Sequence, residues 1–171
     1  MFDEKRFAGE LKRKGVMVDE EHECYLSLKI FSAEDIDRAT MNPNGDMRRY
    51  QALIWVRHKD ENYVTKIASG LPNPSWDSAC IIPLGIYEPY EYFLHVEVYR
   101  MCCKSDPGSS SGIALVGKTR IPLPKLGHKI CGRFGLVRPD DAAGSSSGSG
   151  SDLGCVAEGH IILDMETKIF V

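Results

Sequence analysis

Leu26, Leu28 and Ile30 alternate with Ser27 and Lys29 near the start of the chain, so apolar side chains fall on one face and polar ones on the other. A period of two marks a half-buried strand. Runs of the same character recur over 50–56 (YQALIWV), 64–68, 79–84, 92–100 (YFLHVEVYR), 114–123, 132–137 and 159–164. Turn signals separate them: Asn42-Pro43-Asn44-Gly45-Asp46, Leu71-Pro72-Asn73-Pro74, Tyr87-Glu88-Pro89, Asp106-Pro107-Gly108 and the stretch 122–124. Short strands punctuated in this way predict an all-β fold, an eight-stranded antiparallel β-sandwich, because sheets with one apolar face must bury it against each other. Leu26, Leu28, Ile30, Ile54, Val56, Trp76, Leu94, Val96 and Val98 are the expected core. Only residues 4–14 carry a helical pattern, a short N-terminal helical arm with Phe7 and Leu11 among basic residues.

Length bounds the organisation. A single domain of 171 residues buries roughly 70% of its extended-chain surface and needs no metal or disulfide staple. The expected division is a charged N-terminal arm over 1–23 and one β-sandwich over 24–171. The sandwich carries a Gly/Ser-rich insertion at 140–154, whose centre, GSSSGSGS, has the composition of a flexible loop between two strands. No apolar run approaches the roughly 20 residues of a membrane span, and residues 1–23 mix charges where a secretory signal would be apolar. The six cysteines form no CxxC pair and read as reduced thiols of a cytoplasmic protein. Any membrane contact is therefore expected to be peripheral.

Several motifs fail on context. G-x-S-x-G is satisfied literally at 108–112 and 144–148, but a nucleophile elbow needs a strand entering and a helix leaving the turn, and both stretches are low-complexity loops. Thr40, Asn42, Asn44 and Gly45 imitate the first half of an EF-hand, with Thr40 in place of the leading Asp and Gln51 in place of the bidentate Glu. His22, His58, His95, His128 and His160 are scattered, and His95 falls on the strand face opposite Leu94 and Val96. No nucleophile, base and acid fall into a constellation, so no enzyme is expected. Charge is more informative. The chain holds 21 Lys+Arg against 24 Asp+Glu, yet 107–139 contains no acid and carries Lys118, Arg120, Lys125, Lys129, Arg133 and Arg138. Lys118 and Arg120, two apart on an expected strand, share a face. Such a face attracts anionic lipid at about 1 kcal/mol per residue. Nucleic acid is not an expected partner, because the whole chain is acidic and aromatics hardly interleave with the basic zone.

The order of these segments resembles the C2 domain, and in particular the small plant C2-domain proteins. The resemblance rests on LSLKIFSAEDI over 26–36, on Gly45-Asp46-Met47 before the strand at 50–56, and on Thr65-Lys66 followed by Asn73-Pro74-Ser75-Trp76-Asp77. It continues through Leu94-His95-Val96-Glu97-Val98-Tyr99 and Leu115-Val116-Gly117. Physically, Pro74 fixes a turn and Trp76 fills the sandwich at the start of the next strand. The resemblance implies loops at one end that bind Ca²⁺ and anionic phospholipid, or proteins in degenerate members. Calcium takes six to eight oxygens, many from carboxylates. Here Arg48, Arg100 and Cys102 stand where the family pattern has acids, which leaves Asp35, Asp37, Asn42, Asp46 and Asp106 as the oxygen donors and predicts weak calcium binding.

The resulting expectation is a non-catalytic monomer: a calcium-responsive sensor or adaptor in the cytoplasm, peripherally associated with the plasma membrane. Its lipid-binding residues would be Lys118, Arg120, Lys125 and Lys129, its partners anionic phospholipid membrane and other proteins, and the resemblance points to plant stress or defence signalling. The alternative is a calcium-independent protein-interaction scaffold.

Overall fold

The alternation at 26–30 runs on through a strand of 12 residues, β1 (Glu23–Glu34). A computed structural model describes residues 22–37, 48–70, 73–86, 92–101, 112–139 and 154–170. After β1 come β2 (Arg49–Trp55), β3 (Tyr63–Val64), β4 (Ala68–Ser69), β5 (Ser75–Ile86), β6 (Phe93–Met101), β7 (Ile113–Pro122), β8 (Lys129–Pro139) and β9 (Cys155–Ile169). All eight expected segments are strands, and the third is divided. Thr65 is the cause: its hydroxyl accepts the Ala52 N–H at 3.0 Å and donates to the Lys66 carbonyl at 2.9 Å. A side chain thus takes a ladder bond, and the register of β2 against β3 and β4 slips by one residue across the interruption. The helical arm expected over 4–14 lies outside the described residues.

Every pairing is antiparallel, in the order β3-β2-β6-β7-β8-β9-β1-β5, with β4 also on β2. β7 and β8 meet through the single pair Lys118↔Val137, so the path folds into two layers, β3/β4-β2-β6-β7 and β8-β9-β1-β5. All nine residues expected in the core are buried there, joined by Ile36, Tyr50, Leu84, Leu136, Ile161, Leu163 and Met165. Burial of this apolar surface supplies most of the stabilisation, at about 25 cal/mol per Å². The Gly/Ser-rich insertion joins neighbours, since Pro139 pairs with Cys155 across it.

The Asn-Pro-x-Trp segment does more than turn the chain. The Pro74 carbonyl accepts the Ala33 N–H at 3.0 Å, the Asn73 side-chain oxygen accepts the Asp35 N–H at 2.9 Å, and the fully buried Trp76 donates to the Tyr50 carbonyl at 3.0 Å. These bonds fix the end of β1 and the start of β2 at one pole of the sandwich. Asp35 and Asp37 leave β1 in the left-handed region, at φ 57° and 58°, a conformation that short polar side chains tolerate. Gly159 of β9, at φ 92°, passes directly beneath this turn. A Cβ there would overlap the Glu34 carbonyl oxygen and lie 2.8 Å from the Asp35 carbonyl carbon. Gly159→Ala is expected to cost about 3 kcal/mol or more in urea unfolding, since both the backbone conformation and the close approach exclude a side chain. A loss below about 1 kcal/mol would show that the turn yields easily.

Candidate functional site

Two regions gather polar chemistry, one at the pole where β1 ends and one on the outer face of the β2-β6-β7 layer. At the pole the left-handed turn aims the buried Asp37 inward. Its Oδ2 accepts from Arg48 Nη1 at 2.8 Å, Tyr50 Oη at 2.9 Å and Arg100 Nη1 at 2.9 Å, while Oδ1 accepts from the same Arg100 nitrogen at 2.8 Å. The Asp37 N–H donates to Glu158 Oε1 at 2.8 Å, and Glu158 Oε2 accepts from Arg138 Nε at 2.6 Å. The side chains of Asp37, Arg48 and Arg100 are 7%, 8% and 12% exposed, so these charges are largely removed from water. Burial, followed by the charge of Asp37, pushes the Tyr50 hydroxyl well above the usual tyrosine range and keeps it a donor.

Of the expected calcium donors, Asp35 and Asp37 lie at this pole, and Asn42, Asp46 and Asp106 lie outside the described residues. Among the described residues no group of three or more His, Cys, Asp or Glu is placed to hold a metal ion. Both Asp37 oxygens face guanidinium, and a divalent ion entering here would meet two positive charges. At about 4 Å and an effective dielectric near 20 each unit charge opposes another by roughly 4 kcal/mol. The described side chains of the pole fit a guanidinium pair rather than calcium. The sequence flagged Arg48 and Arg100 as departures from the family pattern. Arg138 stands out in the sequence only as part of the basic stretch, and Glu158 escaped notice, because Gly159 shifts the alternation of β9 and hides Glu158 as an inward position.

On the outer face, Lys118 and Arg120 of β7 lie side by side, opposite Glu97 and His95 of β6. They line a groove of about 290 Å³ with Trp55 of β2. Trp55 and His95 stack with centroids 5.0 Å apart and planes 5° from parallel, Lys59 Nζ lies 5.0 Å from the Trp55 ring, and the Arg120 guanidinium lies 3.5 Å from the Phe93 ring. Glu97 is engaged: Lys59 Nζ lies 2.7 Å and Tyr99 Oη 2.5 Å from its Oε2. Burial pushes the Glu97 carboxyl upward, but the hydrogen bonds from Lys59 and Tyr99 outweigh this and hold it below the usual range. Burial, then the charge of Arg120, lowers His95.

The basic stretch of the sequence divides in space. Lys129 pairs with Asp164 at 2.9 Å, Arg133 with Glu34 at 2.7 Å and Arg138 with Glu158 at 2.6 Å, all acids from β1 and β9. Lys125 is exposed in the connection between β7 and β8. The structure therefore brings Lys118 and Arg120 together over the groove, whereas Lys129 is held on the other layer.

Two outcomes follow from this geometry. Asp37→Asn removes the carboxylate charge that Arg48 and Arg100 share and is expected to lower stability by about 3–5 kcal/mol in urea unfolding; a loss under about 1 kcal/mol would mean that water or neighbouring groups satisfy both guanidiniums. For His95, a depressed native pKa means that the unfolded chain binds more protons once pH falls below about 6.5, so the native state loses stability there. The loss between pH 7 and 5 should be smaller in His95→Gln than in the wild type, measured by urea midpoints; equal losses would remove His95 from the acid response.

Residues 24–136 match the C2 domain family model. The fold is similar to a C2 domain of plant Extended Synaptotagmin 1, at TM-score 0.57 and 14% identity over 86% of this chain and 95% of that one. It is also similar to a human GIVD cytosolic phospholipase A2, at TM-score 0.59 and 10% identity over 88% of this chain and 18% of that one. A calcium-bound structure of paired C2 domains from Extended-Synaptotagmin 2 aligns at TM-score 0.52 and 19% identity, over 90% of this chain and 45% of that one. The chain thus spans nearly the whole of the first and less than half of the other two. No curated protein matches it. Among the described residues no helix is long and apolar enough to cross a membrane. With its two antiparallel layers and the family match over most of its length, the chain belongs to the C2 domain family.

Proposed function

We propose that this C2 domain is a non-catalytic peripheral membrane adaptor that meets anionic phospholipid through the outer face of β6 and β7, without requiring calcium. The observation that carries the reading is the pair Lys118 and Arg120 beside the Trp55–His95 stack, where the facing carboxylate, Glu97, is engaged by Lys59 and Tyr99. Two cations on a firm sheet face add attraction for an anionic surface at low entropic cost, since the strands position both side chains. The buried guanidinium pair on Asp37 supports the calcium-independent form over the calcium-responsive one. A cytoplasmic chain of this kind would reside at the inner surface of the plasma membrane, where anionic lipid is concentrated. The resemblance to small plant C2-domain proteins extends the proposal to stress or defence signalling.

Recruitment of protein partners has its own observation. The same layer turns apolar toward the loop pole, where Leu53, Val64, Tyr99, Met101 and Ile113 line a second groove of about 260 Å³. Val64 and Ile113 are about half exposed, which is unusual for large aliphatic side chains grouped on one face.

Sedimentation with phosphatidylserine vesicles tests the lipid reading. Lys118→Ala plus Arg120→Ala is expected to weaken binding by about 2 kcal/mol, roughly thirtyfold, with little change in Tm. Wild-type binding should fall as salt rises and be equal in calcium and in chelator. A chain that ignores anionic vesicles at low salt would leave the protein-scaffold reading standing.

A further inference from the structure

We propose that Arg48 and Arg100 are resident cations that keep the loop pole in a cation-filled form without metal, and that calcium control is latent in the same geometry. The inference rests on the calcium-independent reading above and deepens it by naming what replaces the ion. Three observations carry it. Arg48 immediately precedes β2 and Arg100 lies near the end of β6, neighbouring strands in which Tyr50 pairs with Arg100, so two adjacent strand ends present guanidinium to one carboxylate. That carboxylate belongs to the turn after β1, on the opposite layer, so the contacts close the sandwich across its layers as a bridging ion would. Finally, the third group on Asp37 is again a donor, the Tyr50 hydroxyl at 2.9 Å, so the described side chains around Asp37 are arranged to supply protons to its oxygens.

Charge decides what occupies such a place. Asp37 with Arg48 and Arg100 sums to one positive charge, the carboxylate of Asp35 on the same turn brings the described side chains to neutrality, and the neighbouring Glu158–Arg138 pair adds none. Among the described residues nothing gives a divalent ion an electrostatic reason to enter. Replacing both arginines by acids reverses the balance: three carboxylates from the β1 turn, β2 and β6 would face the space that the guanidinium groups vacate. Carboxylate oxygens in that number are what calcium takes. The pole is then expected to depend on calcium where the wild type does not.

The test uses the full chain in solution without vesicles, so failure of the lipid reading leaves its outcome unaffected. Wild-type Tm should be the same in millimolar calcium and in EDTA, and terbium added as a calcium probe should gain no luminescence through Tyr50. Arg48→Asp plus Arg100→Asp should lose stability in EDTA and regain it in calcium, with a rise in Tm of about 5 °C or more at calcium roughly a hundredfold above its dissociation constant. Terbium should then compete with calcium and be sensitised by Tyr50. Arg100→Asp alone, which leaves Arg48 on Asp37, is the second variant and should show a smaller calcium-dependent recovery. A wild type that is stabilised by calcium, or an absence of calcium-dependent recovery in both variants, whether they fold in EDTA or not, overturns the proposal.

Discussion

The carboxylate of Asp37 is the point on which the loop pole depends. It ties the turn after β1 to Arg48 before β2 and to Arg100 at the end of β6, and through its N–H it reaches Glu158 on β9 and, beyond that, Arg138 on β8. Five strand ends from both layers converge on one buried group. Removing charges from water is costly, and such a network holds together only when geometry and hydrogen bonds are nearly complete. Here each Asp37 oxygen accepts at least one bond, so the pole is either assembled as a unit or strongly disfavoured. Networks of this kind are weak evidence for stability but give a unique arrangement, because an apolar contact could slide where a carboxylate held by several donors cannot.

The rest of the pole follows from backbone constraints that place Asp37. Asp35 and Asp37 both take left-handed conformations, Asn73 and Pro74 hold the backbone before and within that turn, and Gly159 lets β9 pass beneath it. Trp76 links this assembly to β2 by its bond to the Tyr50 carbonyl. The same segment therefore sets both the entry of β5 into the core and the position of the ionic network. The C2 fold is retained, with its electrostatic closure at this pole supplied by side chains.

The outer face of the β2-β6-β7 layer has a different character. It is basic and aromatic around Trp55, His95, Lys118 and Arg120, and becomes apolar toward Met101 and Ile113 near the loop pole. A bulge between Val98 and Tyr99 marks the change, because β7 gains a residue there and both Val116 and Gly117 turn inward. Gly117 can do so because its bare backbone admits Leu136 of β8, whose Cβ would lie 3.1 Å from any side chain placed there. One irregularity thus sets the boundary between a basic half and an apolar half of the same sheet.

Alternation along the chain determined the strands and the buried faces, because a period of two assigns each residue to a side before any partner is known. That is why Leu26 and Leu94 were readable as core, and why His95 was readable as outward. Pairing of charges was not readable, because it depends on which strands become neighbours. Arg133 meets Glu34 and Lys129 meets Asp164 only after β8, β9 and β1 are laid side by side, so a stretch without acids in sequence is supplied with acids in space. The departures at Arg48 and Arg100 were visible in the sequence as missing calcium ligands. That they converge on Asp37 as its counter-charges was decided by the tertiary structure alone, since only the packing of the two layers brings the β1 turn within hydrogen-bond reach of β2 and β6.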